Sequence, residues 1–335
     1  MRYRRLGKTG LNVSEIGFGC GNIGGLMVRG TFEEQVTAVS RALDLGVNYF
    51  DTAPAYGNGK SETNLGKVLA YLDPELFLAS KVGISPDDLN DLQGVVVASL
   101  ERSLERLGRE SVDVLQLHTP IVETRARETG KWGLTVAEVL GVGGIADAFE
   151  SVRSRGLTRF LGITGLGDTG ALNEAINSRR FDTVQAYYNI LNPSAGQAMP
   201  PGYAGQDFNQ IINRAADLDM GVIVIRVMAG GALGGPSART GYASPAVGGA
   251  LVPGSDYQYD ERRARELDSL GLDNMSLPQV AIRFTLMQQN VSTVLVGFSD
   301  TGQVDEAVSA AEAGSLPGEF IERLEKFWSE DTPDC

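Results

Sequence analysis

An apolar run in GVNYFDTAPAYGNGKSE (residues 46–62) ends on a carboxylate, Asp51, and Tyr56 follows five residues later in a loop rich in proline and glycine. Two further apolar runs end in a similar way. Side chains of a strand alternate between its faces, so LFLASKV (76–82) puts Phe77, Ala79 and Lys81 together, and SVDVLQLHT (111–119) puts Val114, Gln116 and His118 together. His118 is the only histidine of the chain. Taken singly, each residue has an ordinary explanation: a turn cap for Asp51, a cation reaching water for Lys81, a core imidazole bonded to a carbonyl for His118, a loop aromatic for Tyr56. Ionisable groups rarely stand inside an apolar wall unless they pair or work. Three successive runs finishing in Asp, Lys and His, with a tyrosine beside the first, point to an active site.

The chemistry follows from charge. A lysine beside a tyrosine stabilises the phenolate and is expected to pull the phenol down from its ordinary pKa of about 10. A carboxylate paired with that lysine keeps it protonated and in place. The tyrosine can then give a proton to a carbonyl oxygen or take one from an alcohol, and a neighbouring histidine can orient or polarise the same oxygen. None of these groups carries a hydride, so a cofactor must supply it.

Elements that could hold these residues are legible as periodicity. Short β-rich runs (14–20, 47–53, 76–82, 111–119, 158–164, 182–189, 221–228, 291–298) alternate with amphipathic ones, giving eight strands with a helix after each. The strands are continuous apolar runs, as expected of a parallel sheet covered on both faces. Eight β/α units predict a closed (β/α)8 TIM barrel, with function at the C-terminal ends of the strands. GFGCGNIGG after the first strand does not make the G-x-G-x-x-G of a doubly wound dinucleotide fold. YRRLGKTGLNVS reads as an N-terminal β-hairpin around Lys8-Thr9-Gly10 that plugs one end of the barrel, and FIERLEKFW (320–328) as an extra C-terminal helix. SETNLGKVLAYL (61–72) reads as a helix capped by Ser61. No linker divides the chain, so residues 1–335 are expected to form a single domain.

Composition narrows the partners. The chain has 335 residues, 42% hydrophobic and 21% charged, with a net charge of −13, which repels nucleic acid and anionic membranes. There is no apolar run of about 18 residues to span a bilayer, and no apolar segment follows the basic N-terminus to make a secretory signal. The two cysteines, Cys20 and Cys335, form no framework, which fits a reducing, cytoplasmic setting. Glycine clusters between positions 230 and 254, predicting long mobile loops, and NPSAGQAMPPGYAGQ after the sixth strand predicts another loop wall. Trp132 either lines the substrate mouth or covers the outside of the barrel.

FDTAPAYGNGKSETNLGKVL, LASKVG, DVLQLHTP and FDTVQAYYNIL resemble, in order, successive motifs of the aldo-keto reductase superfamily, and the likeness covers nearly the whole chain. The resemblance implies a barrel that binds a nicotinamide dinucleotide without a Rossmann fold. It implies reversible hydride transfer between the nicotinamide and a carbonyl or alcohol carbon of a small molecule. It places the catalytic tetrad on Asp51, Tyr56, Lys81 and His118. It also implies cofactor contacts at Cys20 and Gly21, at Thr164 and Gln185 for the carboxamide, at Arg226, Val227, Met228, Ala229 and Gly230 after the seventh strand, and at Gly297, Ser299, Gln303 and Glu306 on the adenosine side. Metal is not expected.

Two departures from the family pattern stand out. Gly165 follows Thr164 where the family commonly has an asparagine, and Arg226 takes the place of an aromatic residue that stacks on the nicotinamide; arginine can also stack on a planar ring. No lysine or arginine occurs between Arg283 and Arg323, and Asp300 and Asp305 lie in that stretch. A 2′-phosphate normally meets basic partners, so between NAD and NADP the sequence leans to NAD unless Arg239, Arg262, Arg263 or Arg265 reaches over; the simpler reading of that arginine cluster is a solvated helix face. Two other readings are a cofactor-binding regulatory barrel with incidental turnover, which the intact tetrad disfavours, and a Schiff-base lyase using Lys81, which a paired, charged lysine disfavours.

Overall fold

The eight apolar runs pair side by side and close into a barrel in the computed structural model, which describes residues 1–125, 132–200, 203, 205–235, 241–244, 256–272 and 275–329. A hairpin of β1 (Tyr3–Arg5) and β2 (Asn12–Ser14) precedes it. The barrel strands are β3 (Ile16–Gly19), β4 (Tyr49–Asp51), β5 (Phe77–Val82) and β6 (Val112–Leu117). After a small parallel pair, β7 (Ile121–Val122) and β8 (Leu134–Thr135), they continue as β9 (Thr158–Gly165), β10 (Thr183–Tyr187), β11 (Gly221–Ile225) and β12 (Thr293–Gly297). All barrel pairings are parallel, and β12 pairs with β3 to close the ring.

The helices are α1 (Leu26–Arg29), α2 (Phe32–Asp44), α3 (Lys60–Leu72), α4 (Leu92–Leu107), α5 (Val136–Leu140), α6 (Ile145–Ser154), α7 (Thr169–Asn177), α8 (Ile211–Asp217), α9 (Tyr257–Ser269), α10 (Leu277–Met287), α11 (Gly302–Glu312) and α12 (Gly318–Ser329). Each of the eight expected strands and its following helix is present, with ends that differ by a few residues. Helices α1 and α5 come in addition to these, and α9 carries Arg262, Arg263 and Arg265, the cluster read as a helix face. Thr31 with Glu34 starts α2 and Ser276 with Gln279 starts α10, each by a reciprocal capping box. Ser61 does not cap α3. That helix begins at Lys60 after Gly59, and Ser61 is buried, bonding Thr52 Oγ1 at 2.8 Å and donating to the Cys20 carbonyl at 2.9 Å. It ties the helix to the ends of β3 and β4 rather than to its own first turn.

Two cores result. The larger lies between strands and helices, which is why the strands are apolar on both faces. The smaller fills the lower barrel, where Leu6, Leu11 and Val13 of the hairpin meet Tyr49, Ala79, Val114, Ile223 and Leu295 of the strands. The hairpin therefore plugs the end of the barrel opposite the strand C-termini, as the sequence suggested. Glu15, almost fully buried, holds it through Arg2 and Arg4, each at 2.8 Å. No helix among the described residues is long and apolar enough to cross a membrane.

Candidate active site

Register sets the site. Asp51, last residue of β4, pairs across to Gly19 and Ala79, and Lys81 pairs with Gln116 two residues before His118. Alternation then brings the Asp51 and Lys81 side chains to the same interior layer, where both are buried. Lys81 Nζ donates to Asp51 Oδ1, to the Thr52 carbonyl at 2.9 Å and to Tyr56 Oη at 3.2 Å, and lies 4.8 Å from the centre of the Tyr56 ring. The His118 ring meets the Tyr56 ring edge-on, with centres 5.7 Å apart and planes at 89°. The four residues read from the sequence as a tetrad thus converge on one point.

Asp51 is held from three sides. Besides Lys81, Gln185 Nε2 donates to its Oδ2 at 2.7 Å and Gln116 Nε2 at 3.2 Å. Gln116 was not singled out for a role, although its place on the His118 face two residues earlier in the strand was a signal. Burial raises the Asp51 carboxyl above the usual carboxylate range despite Lys81, Gln185 and Gln116. Burial also works against the Lys81 ammonium, but Asp51 and Tyr56 together outweigh it and carry Lys81 above its ordinary value. Tyr56 differs from expectation. Lys81 does pull it down, yet burial is the larger influence and leaves the phenol above its ordinary pKa. At neutral pH it is a proton donor poised beside a cation. Burial and the Lys81 charge lower His118 to about 3, so its imidazole is neutral.

A cleft of about 980 Å³ opens over these residues and runs from Tyr56 and His118 to Asp300 and Gln303. Gly21, Thr164, Gln185, Arg226, Val227, Met228, Gly230, Gly297, Ser299, Gln303 and Glu306, all expected as cofactor contacts, line it. Cys20 and Ala229 do not. The Cys20 thiol belongs to the apolar core, with Sγ 3.9 Å from the Phe18 carbonyl, and burial raises its pKa. Ala229 is buried in the turn behind the lining.

The donor set fits a nicotinamide dinucleotide. Thr164 Oγ1 is buried without a hydrogen-bond partner and faces the same cleft as Gln185, whose amide nitrogen is engaged by Asp51 while its carbonyl oxygen is free to accept. A carboxamide needs one donor and one acceptor, and Thr164 with Gln185 offers both. Gly165 has a physical reason: a Cβ there would lie 2.8 Å from the Gln185 carbonyl oxygen, so no asparagine fits without displacing β10. Arg226 has left-handed backbone, φ 63°, held by Asn189 Nδ2 donating to its carbonyl at 3.1 Å, and Ala229, Gly230 and Gly231 also have positive φ. The turn is closed by its own backbone, with Ala229 N–H donating to the Arg226 carbonyl and Gly231 N–H to the Met228 carbonyl, each at 2.8 Å.

The adenosine end is more crowded than the sequence indicated. Gln303 bonds Ser299 twice, accepting from its N–H at 2.8 Å and donating to its hydroxyl at 2.9 Å, and Glu306 accepts from Ser276 Oγ at 2.9 Å. Asp305 points outward and pairs with Arg41, which removes its charge from the cleft. Arg263 stacks on Phe327 at 3.8 Å and Arg265 pairs with Glu261, so neither reaches over; Arg262 lies on Tyr259. Arg239 lies outside the described residues. The basic residue that does reach this end is Arg29 of α1, which lines the cleft and donates to the carbonyls of Asn22 (2.7 Å) and Tyr242 (2.9 Å). Its distance in sequence from 297–306 hid it. Trp132 donates to the Ile84 carbonyl at 2.7 Å beneath Arg125 and is not part of the lining.

Comparison with known proteins agrees with the fold. The chain is 29% identical over 318 residues to L-galactose dehydrogenase of Arabidopsis thaliana, covering 92% of this chain and 88% of that protein. It is 27% identical over 348 residues to D-threo-aldose 1-dehydrogenase of a Pseudomonas species, covering 95% of each. The solved holo form of aldo-keto reductase AKR11C1 from Bacillus halodurans shares the fold with a TM-score of 0.71 at 23% identity, covering 100% of this chain and 98% of that one. The protein is thus of the barrel oxidoreductase class. The model described as Aldo/keto reductase family matches residues 15–329, and the chain belongs to that family.

Proposed function

We infer that the protein is an NAD(P)-dependent oxidoreductase that reduces a carbonyl, or oxidises an alcohol, on a small aldehyde, ketone or sugar-like substrate, with Tyr56 as general acid and base. The observation that carries this reading is the double engagement of Lys81, which donates to Asp51 and to the Tyr56 hydroxyl at the floor of the cleft. Thr164 and Gln185 would hold the nicotinamide carboxamide and the turn from Arg226 to Gly230 the phosphates, while the bound dinucleotide supplies the hydride.

In the reducing direction Tyr56 gives its proton to the carbonyl oxygen, and Lys81 stabilises the phenolate left behind. Asp51 keeps Lys81 protonated and aimed. His118, neutral and against the Tyr56 ring, orients the same oxygen. The relatives named for sugar oxidation favour a polyhydroxylated substrate. NAD is the preferred dinucleotide in this reading, because Arg29 is engaged by two carbonyls and Asp300 lines the cleft beside Ser299. Titration with NADH and NADPH by nicotinamide fluorescence, followed by a panel of sugars, aldehydes and ketones, tests it. Absence of binding by either dinucleotide would remove the proposal.

A further inference from the structure

Among the described residues, three cationic or potentially cationic groups stand at or beneath the Tyr56 end of the cleft, and two are accounted for. Lys81 is matched by Asp51, and His118 is neutral. Arg226 is different. It lines the cleft together with Tyr56, Thr164 and Gln185, and among the described residues its guanidinium has neither a hydrogen bond nor an ion pair. Burial works against its charge and lowers its pKa, while Tyr187, Tyr56 and Asp260 of α9 favour the charged form without outweighing burial. The backbone at Arg226 is left-handed, a conformation disfavoured for a non-glycine residue. A left-handed residue that turns a guanidinium without a hydrogen bond toward a cleft suggests a use for the charge.

What meets that charge follows from the neighbours. A carboxamide within reach of Thr164 and Gln185, on a ring whose substrate is within reach of Tyr56, has Arg226 beside it. Such a ring is neutral when reduced and a pyridinium cation when oxidised. Carbonyl reduction would take one hydride from the bound dinucleotide to carbon and one proton from Tyr56 to oxygen, and a ring held by Thr164 and Gln185 would then carry its new positive charge in the cleft that Arg226 lines. We propose that Arg226 makes this site discriminate between the redox states of its dinucleotide, holding the reduced form and repelling the oxidised one, so that the enzyme works as a carbonyl reductase rather than an alcohol dehydrogenase. This rests on the hydride-transfer reading above. Two unit charges a few ångströms apart in a partly buried site, where the effective dielectric constant is about 20, alter binding by about tenfold or more. Repulsion also speeds release of the oxidised product and starves the reverse reaction of its cofactor.

The test is the dissociation constant of each of NAD+, NADH, NADP+ and NADPH, by calorimetry, for the unmodified protein and for Arg226→Met, Arg226→Gln and Arg226→Lys. Taking the oxidised-to-reduced ratio within each pair cancels any effect of the 2′-phosphate. The unmodified protein and Arg226→Lys should bind the reduced form at least about tenfold more tightly. In Arg226→Met and Arg226→Gln the ratio should shrink by a similar factor because the oxidised form gains affinity. An unmodified protein that binds both states alike overturns the proposal without any variant. So does a neutral variant that loses both states equally, which would assign the guanidinium to a phosphate. If the unmodified protein binds no dinucleotide at all, it is the hydride-transfer reading that has failed.

Discussion

Lys81 Nζ lies 3.2 Å from the Tyr56 hydroxyl and 4.8 Å from the centre of the same ring, so a single ammonium addresses both the hydroxyl and the π-face of one phenol. The phenol remains protonated because burial outweighs this cation. Tyr56→Phe removes the proton and leaves the ring, its contact with His118 and the fold. Turnover should fall about 10²–10⁴-fold, the usual worth of a general acid, with the dissociation constant of the reduced dinucleotide unchanged. A variant keeping more than about a tenth of kcat would place the proton donor elsewhere.

Lys81→Met should cost both activity and stability. It strips Tyr56 of the cation that lowers it and leaves Asp51 buried without its ionic partner, a loss of about 3–5 kcal/mol when a buried pair is broken on one side. Stability alone does not reveal the function of Lys81, but the pH profile does. Carbonyl reduction uses the protonated tyrosine, so activity is lost as pH rises through the Tyr56 pKa. Without Lys81 that pKa climbs further, and the alkaline limb of the residual activity should move to higher pH. A limb that stays where it was would separate Lys81 from the acid.

His118 is lowered from 6.5 to about 3 by burial and by Lys81. Activity should therefore show no inflection near pH 6.5, where an ordinary histidine titrates. The linkage has a definite sign. Between about pH 3 and 6.5 the unfolded chain binds a proton that the folded site refuses, so stability is complete above 6.5 and falls as pH drops through that window. His118→Gln removes this dependence, which denaturant titrations at pH 7 and pH 5 would register as a smaller loss on acidification. The imidazole resonance of this single histidine, followed by NMR, measures the pKa directly.

The contrast between Gln116 and Arg29 explains what the sequence could disclose. Asp51, Lys81, His118 and Gln116 sit at or just beyond the ends of consecutive strands, where apolar periodicity fixes the register and alternation fixes the face; Asp51, Lys81 and His118 were legible for that reason, Gln116 could have been, and Tyr56 was legible only as the tyrosine of the loop that follows Asp51. Arg29 comes to the Ser299 end of the cleft through α1, a four-residue helix in a stretch to which the sequence reading gave no element, and no local pattern connects it with Ser299 or Asp300. Gly165 was visible as a departure, but its cause, the Gln185 carbonyl 2.8 Å from where a Cβ would stand, exists only between strands. The Tyr56 pKa went the opposite way to expectation because a sequence shows which charges are near and not how little water surrounds them.

The partners of Arg29 bear on the proposed preference for NAD. Its guanidinium donates to the Asn22 and Tyr242 carbonyls and so ties the segment 241–244 to the start of α1, while Tyr242 N–H donates to the Ser299 carbonyl at 3.3 Å. If those carbonyls are its partners when a dinucleotide is bound, a 2′-phosphate gains little there, and NADH should bind at least as well as NADPH. Arg29→Met then loosens the segment for both dinucleotides alike and leaves their affinity ratio where it was. A guanidinium that turns from the carbonyls to a phosphate makes a charge-assisted hydrogen bond, worth about tenfold in affinity. In that case the unmodified protein prefers NADPH, and Arg29→Met abolishes the preference by weakening NADPH alone. The ratio of the two dissociation constants, before and after the substitution, distinguishes these outcomes, because a purely structural role for Arg29 moves both constants together.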